Sequence, residues 1–487
     1  MNPAAFYPSA VDYLRFLPEL ILTIGGVLLL VLEALTGDNK DKTSLGYVAM
    51  AVVLGAMFAV PVALANPGTS FNGMIVSDGF AAFFRMVTLL VGLFTLLCST
   101  SYLSREKANT GEFYLLVLFS LAGQGIMAAS NELIMVFLGL EIASISSYVL
   151  AGFLRDDKRG SESALKYFLL GSFATAFLLY GISWIYGVTG ATNLTAIRDA
   201  LAAGTNAPSM VVAAAALMMI GLAFKVSAAP FQVWAPDVYQ GAPAPVSGFL
   251  SAGPKAAAFA IFLRIFQTSF ESLSSRYEPV LWILALGTMF IGNFSALWQT
   301  NLKRMLAYSS IAHAGYVLVA VTTNSNVGTA AAMFYLAAYA LMNFGAFAAI
   351  THLAGRGESH VTIDDLKGLA AKQPVIAGLL TVCLLSLTGV PLTAGFFGKF
   401  YIFKAAIDNH LYWLSALGLL NSAIAAYYYL RILAAMYMHE PKTTDHPEPV
   451  PGGIQLTMWV SAAGILTLGV FPGLVLDYAN RFATFVK

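Results

Sequence analysis

The chain has 487 residues, of which 58% are hydrophobic and only 10% charged, whereas an ordinary soluble domain is about 25% charged. Its formal net charge is +1, and no basic run interleaved with aromatics suits nucleic acid. This composition excludes a soluble enzyme and a nucleic-acid-binding protein, and predicts an all-α polytopic membrane protein.

Apolar runs of about 18 to 25 residues, each long enough to cross a hydrocarbon core about 30 Å thick, recur from one end to the other. They predict about 14 transmembrane helices, over residues 13–35, 45–65, 78–101, 112–129, 131–153, 162–187, 208–240, 245–269, 279–299, 304–322, 328–355, 373–408, 412–437 and 453–478. The first run lacks a basic leader and a small-residue cleavage site, so it is expected to stay in the membrane as a helix. Cys98 and Cys383 both fall inside apolar helices, which leaves no cysteine-ligated cluster or disulfide framework. The six His are scattered, and neither a metal motif nor a glycine-rich phosphate loop is present. The chain is expected to hold no nucleotide, flavin or metal itself.

If each helix crosses once, the connections alternate sides. One set carries Lys40, Lys42, Arg105, Lys107, Arg155, Lys158, Arg159, Lys303, Arg304, Arg356, Lys367, Lys372 and Lys442; the other carries only Arg15, Arg198, Arg276, Arg481 and Lys487. The positive-inside rule puts the first set in the cytoplasm and both termini outside.

Residues 1–110 hold three N-terminal helices, and a weak repeat follows. Tyr148-Val149-Leu150 recurs as Tyr316-Val317-Leu318, and Phe168-Leu169-Leu170 parallels Phe334-Tyr335-Leu336. The stretch around Pro230 likewise parallels that around Pro391. The repeat pairs helices four to eight, in residues 111–270, with helices nine to thirteen, in 271–440; residues 441–487 add helix fourteen. Five is an odd number, so consecutive copies enter the membrane from opposite sides as an inverted repeat. Transporters with that symmetry place their sites near the midplane, at discontinuous helices. Helices seven and twelve are the candidates: Pro230 and Pro391 each remove a backbone donor, freeing the carbonyls of Val226 and Leu387. A simple proline kink is the alternative.

An ionisable group at a helix centre costs on the order of 2.5–3.5 kcal/mol, so each requires a partner, water or a purpose. Glu141 in helix five, Lys225 in helix seven, Lys255 in helix eight and Lys399 beside the break in helix twelve are the outstanding cases. A static reading makes Glu141 and Lys225 a structural ion pair, with Lys255 held by carbonyls released at the breaks. Proton conduction is the reading favoured here, because the charge on a buried lysine responds readily to its surroundings. Lys166 and His313 are secondary relay candidates, and His titrates nearest neutral pH. Arg85, Arg264, Lys404 and Arg431 read as interfacial anchors, while Glu19, Glu33, Asp78 and Glu112 face headgroups or neighbouring helices. Helix eleven offers no obvious ionisable relay residue before His352.

Four stretches carry a resemblance: Glu112-Phe113-Tyr114-Leu115-Leu116, Phe137-Leu138-Gly139-Leu140-Glu141, the segment from Pro236 to Val246, and Gly395-Phe396-Phe397-Gly398-Lys399-Phe400. Together they resemble the antiporter-like subunit family of bacterial NADH:quinone oxidoreductase (respiratory complex I), in its N-type branch. The resemblance implies a 14-helix antiporter-like fold, a proton route along the midplane, and family roles for Glu141, Lys225, Lys255 and Lys399. M-type relatives look different in carrying a glutamate on helix twelve, and L-type ones in a long lateral C-terminal helix. It further implies a bacterial inner-membrane location, other complex I membrane subunits as partners, and NADH, FMN, iron–sulfur clusters and quinone held in those other subunits. A subunit of a multi-subunit cation/proton antiporter or membrane-bound hydrogenase is the alternative, and a passive scaffold a third reading that the four midplane charges oppose.

A single cysteine introduced at Thr69 is expected to react with an impermeant thiol reagent from the periplasmic side. Reaction only from the cytoplasm would reverse the topology.

Overall fold

A computed structural model describes residues 7–37, 42–204, 207–441 and 449–484; Lys40, Lys442 and Lys487 of the charge count lie outside them. In chain order the helices are α1 (Ala10–Arg15), α2 (Leu17–Leu35), α3 (Thr43–Leu64), α4 (Gly79–Glu106), α5 (Gly111–Ala129), α6 (Leu133–Ala151), α7 (Lys158–Thr189), α8 (Leu194–Ala202), α9 (Pro208–Lys225) and α10 (Trp234–Gly241). They continue as α11 (Ala244–Thr268), α12 (Ser274–Leu297), α13 (Leu302–Thr322), α14 (Asn326–Leu353), α15 (Leu369–Lys372), α16 (Pro374–Thr388), α17 (Ala394–Asp408), α18 (Tyr412–Met438), α19 (Gly452–Val470) and α20 (Gly473–Phe482). Among the described residues, 13 helices are long and apolar enough to span a membrane. The halves α16 and α17 make the remaining crossing.

Within a bilayer every backbone polar group must be satisfied inside the protein, which is why the crossings are helical. The innermost helices are α11, α13 and α14, whose apolar windows are almost wholly buried, whereas α2, α3, α7, α12 and α18 turn large apolar faces outward. Packing partners recur between the halves: α5 packs on α6 as α12 does on α13, and α11 returns to α5 as α18 returns to α12. α7 packs on the broken pair α9 and α10 as α14 does on α16 and α17.

The connections sort to two ends of the bundle. At one end a short antiparallel hairpin, β1 (Gly68–Ser70) with β2 (Ile75–Ser77), is bridged to Ser130. There Arg15 donates to the carbonyls of Asn66 and Pro67 at 2.8 and 2.7 Å, and Ser269 to that of Leu194 at 3.0 Å. At the other end Asn301 bridges Thr362 and the 356–358 turn meets the ends of α4, α11 and α13. Neither the hairpin nor α8 is signalled by an apolar run. The predicted helix fourteen is divided by a turn at Phe471 and Pro472 into α19 and α20.

Both predicted breaks are present, and they exceed a kink. α9 ends at Lys225, Ser227 adopts a left-handed φ of 59°, and the chain becomes helical again only at Trp234. The freed groups find side chains: Trp234 Nε1 donates to Phe224 O at 3.0 Å, and Ala229 N to Thr288 Oγ1 at 2.8 Å. α16 stops at Gly389, whose φ of 94° suits a residue without a Cβ. Ser386 Oγ then accepts from Gly395 N at 3.0 Å, tying α17 back onto α16.

Two arginines read as interfacial anchors are instead buried. Arg85 grips Glu19 with two bonds of 2.7 and 2.9 Å, and each side chain is 1% exposed. Arg264 grips Asp78 the same way at 2.9 and 3.0 Å. Paired guanidinium and carboxylate groups can lie deep where a lone charge cannot. Gly125 makes room for the first pair, since a Cβ there would stand 2.4 Å from Glu19 Oε1. Lys303, counted among the basic residues of a connection, is also fully buried. Arg431 does act at a helix end, donating to Leu297 O at 3.1 Å.

Removing one member of a buried pair typically costs about 3–5 kcal/mol, whereas replacing both by apolar groups is often neutral. Glu19→Ala is expected to lower heat stability in detergent, and Glu19→Leu with Arg85→Leu to recover most of it. An equal loss in both proteins would mean that packing, not charge pairing, is what matters there.

Candidate functional site

Of the predicted midplane charges, Lys255 and Lys399 are buried in the bundle, and Glu141 and Lys225 are partly buried. Lys225 ends α9, so its backbone is fixed by the last helical turn while its side chain leans onto α6. There Nζ donates to Ser144 Oγ at 2.7 Å and to Tyr148 OH at 3.2 Å. Among the described residues no ion pair within 4.0 Å joins Lys225 to Glu141, so the static pair is not formed in this conformation. Glu141 is partly buried, one α6 turn before Ser144, and its Oε1 has no hydrogen-bond partner. A cavity of about 20 Å³ adjoins Lys225, Ser144 and Pro254, room for roughly one water molecule.

Lys255 follows Pro254 on α11 and is 3% exposed. Its Nζ donates to Ser310 Oγ at 2.5 Å and lies 5.7 Å from the Tyr239 ring centroid. The break carbonyls do not hold it, contrary to the static reading. Three residues beyond Ser310 on α13, His313 faces the same side of the helix. The His313 Nδ1 lies 2.6 Å from Tyr335 OH and its Nε2 3.1 Å from Tyr429 OH, while Tyr429 is bonded in turn to Ser309. A cavity of about 10 Å³ lies among Lys255, Ser310, His313 and Tyr339.

Lys399 closes the row. It stands on α17 and reaches back to the end of α16, donating to Leu387 O at 3.1 Å, Thr388 O at 2.9 Å and Ser422 Oγ at 2.8 Å. The carbonyl expected to be freed by Pro391 is therefore a ligand of this lysine. Lys399 Nζ also lies 4.9 Å from the Tyr316 ring centroid, and Tyr316 packs edge-on against His313 at 5.6 Å. Lys225 thus shares a cavity with Pro254, the residue before Lys255, and the row continues from Lys255 through Ser310 and His313 to Tyr316 and Lys399.

Lys166 stands apart from that row. It is 43% exposed at the loop end of α7, where it pairs with Glu162 at 2.7 Å and Asp237 at 2.8 Å. Asp237 also takes Arg304 at 2.6 Å. Among the described residues no group of three or more His, Cys, Asp or Glu is placed to hold a metal ion.

Sequence reasoning passed over the hydroxyls. Ser144, Ser310 and Ser422 each accept from one of the lysines, and α14, which lacked an obvious ionisable group, contributes Tyr335, Tyr339 and Asn343 at successive four-residue steps. The available signal was tyrosine recurring on inward helix faces, together with the adjacent Tyr428 and Tyr429, both fully buried.

Comparison with known proteins finds relatives along the whole chain. Residues 130–425 match the family described as NADH:quinone oxidoreductase/Mrp antiporter, TM, a span that holds Glu141, Lys225, Lys255, His313 and Lys399. The chain is 59% identical over 484 residues, 99% of each sequence, to NADH-quinone oxidoreductase subunit N 1 of Solibacter usitatus. It is 44% identical over 466 residues, 96% of each, to the subunit N of Trichlorobacter lovleyi. Its fold superposes on a chain of respiratory complex I from Thermus thermophilus with a TM-score of 0.81 and 34% identity, covering 94% of this chain and 98% of that one. With a multi-pass membrane fold and similarity that runs end to end with these relatives, the chain belongs to the NADH:quinone oxidoreductase/Mrp antiporter membrane-subunit family, in its subunit N branch.

Proposed function

We propose that this chain carries protons across the bacterial inner membrane as the N-type membrane subunit of NADH:quinone oxidoreductase, with electron transfer from NADH to quinone taking place in other subunits. The observation that carries the reading is the row of partly buried Lys225 and buried Lys255, His313 and Lys399, in which each ionisable group touches at least one hydroxyl. A hydroxyl both donates and accepts, so it can take a proton on one side and release one on the other. A lysine between hydroxyls can hold a proton and pass it on, because its charge state follows its surroundings. A row built only for packing would have no need of charge at this depth.

Glu141 supplies the switch. It precedes Ser144 by three residues, so both lie on the same side of α6, and a small rotation or slide exchanges hydroxyl for carboxylate as the partner of Lys225. The carboxylate stabilises the ammonium form and its withdrawal promotes release toward Lys255. Each proton moved against the membrane potential requires about 2.3 kcal/mol per 100 mV, so gating of this kind prevents leakage.

The same reading divides the chain into three N-terminal helices in 1–110, inverted five-helix units in 111–270 and 271–440, and a C-terminal unit in 441–487. The basic loop end faces the cytoplasm, and both termini face the periplasm. The partners are other complex I membrane subunits, further antiporter-like ones among them, and the nucleotide, flavin, clusters and quinone belong to those other subunits. Full-length relatives named as subunit N favour this over a cation/proton antiporter or hydrogenase subunit.

Lys399→Ala is expected to leave an assembled complex that moves fewer protons per electron in vesicles; an unchanged ratio would remove Lys399 from the route. Lys225→Arg keeps a charged carboxylate partner that cannot release its proton, so pumping should fall, as it should in Glu141→Gln with little loss of assembly. Full pumping in Lys225→Arg, with Glu141→Gln failing to assemble, would favour a structural pair.

A further inference from the structure

The lysine row explains transfer within the bundle but leaves open where a proton leaves the water. At the basic loop end an open cavity of about 1310 Å³ lies between the ends of α4, α5 and α6, the start of α7, the α10–α11 junction and the 356–362 loop. Its lining holds five carboxylates against three cationic side chains. A cleft with that balance attracts cations, protons included, and raises their capture rate.

One carboxylate continues inward. Glu358 is 16% exposed at the cavity wall, and Lys303 behind it is 1% exposed. Glu358 Oε1 accepts from Tyr102 OH and from Ala244 N, each at 2.7 Å, and Oε2 accepts from Lys303 Nζ at 2.5 Å. The other charged groups beside it are Glu106, which accepts from Gly357 N at 3.0 Å, and Arg105, which lies against Glu106 at 3.3 Å. The turn that presents Glu358 is held in left-handed geometry, with φ of 66° at Gly355 and Gly357 and 50° at Glu358 itself. Such geometry in a residue with a side chain persists only where its surroundings enforce it.

Lys303 also donates to Ala242 O at 2.5 Å. Ser247 Oγ bonds both that carbonyl, at 3.3 Å, and Tyr239 O, at 2.8 Å. Tyr239 is fully buried, and its ring is the one beside Lys255. The short segment from Tyr239 to Ser247 therefore meets the Glu358–Lys303 pair at Ala242 and Ala244, and Lys255 at Tyr239.

We propose that this cavity is the mouth through which the chain takes up protons, and that Glu358, balanced by Lys303, is the first group to hold them on the way to Lys255. The inference rests on the proton-translocation reading above and adds its uptake site. The competing explanation is structural: a carboxylate on the first amide of α11 caps that helix.

Two substitutions at Glu358 separate these explanations. Glu358→Gln keeps an acceptor for Ala244 N and Tyr102 OH but cannot ionise, whereas Glu358→Asp keeps the acid and shortens its reach to the cap. With the assembled complex in proteoliposomes, Glu358→Gln is expected to pump normally at about pH 6 and to lose roughly tenfold near pH 8, because uptake then depends on direct capture from water. Glu358→Asp should stay within about twofold of the parent at both values. The reverse ranking, or a Glu358→Gln defect equal at both pH values, would overturn the proposal. Should either variant fail to assemble, Ala108→Trp narrows the mouth without touching the ion pair. Reduced pumping there supports the mouth, and unchanged pumping overturns it. If Glu358→Gln pumps normally while Lys399→Ala does not, only the uptake site is lost; if both pump normally, the translocation reading is lost with it.

Discussion

A polar group at bilayer depth must find its partner inside the protein, and this requirement shapes the molecule at each level. It makes the crossings helical, and where a helix is interrupted it dictates what stands beside the gap. At the second break the released carbonyls of Leu387 and Thr388 are satisfied by Lys399, and the lysine is satisfied by them. Interruption and charge are thus one arrangement. At the first break neutral side chains do the satisfying, Trp234 and Thr288, which leaves Lys225 free to address α6. The two breaks therefore differ: at the first the lysine meets hydroxyls of a neighbouring helix, and at the second it meets the broken backbone itself.

Hydroxyls connect these points. Between Lys255 and Lys399 the row passes His313 and the tyrosine hydroxyls bonded to it. A string of lysines alone would repel itself, whereas hydroxyls between them spread the charge and keep the bonds directional. The buried pairs Glu19–Arg85 and Asp78–Arg264 serve differently: each is locked by two hydrogen bonds, lies among the N-terminal helices and their contacts, and has no reason to change partner.

Much of this was legible in the sequence because it depends on local patterns. Run length gave the crossings, proline and glycine gave the breaks, and lysines in apolar helices gave the row. Pairings across long separations were not legible. Arg85 meets a carboxylate 66 residues away and Lys303 one 55 residues away, and nothing in an apolar helix announces such a partner. Arg85 was therefore assigned to an interface and Lys303 to a loop. Serine and tyrosine escaped notice for another reason: they cross membranes at little cost, so their presence in a helix raises no question until the fold turns them toward a lysine. Glu141 was expected to touch Lys225, and sequence proximity to helix five's Ser144 concealed that a hydroxyl takes that place in this conformation.

The central claim is that Lys255 joins the two halves of one proton route. Lys255→Met keeps the length of the side chain and removes its charge, and the measurement is the number of protons moved per NADH oxidised in vesicles containing the fully assembled complex. The account predicts a ratio lower than that of the parent complex, because transfer between Lys225 and His313 is interrupted. A ratio equal to the parent's, with assembly intact, would contradict it.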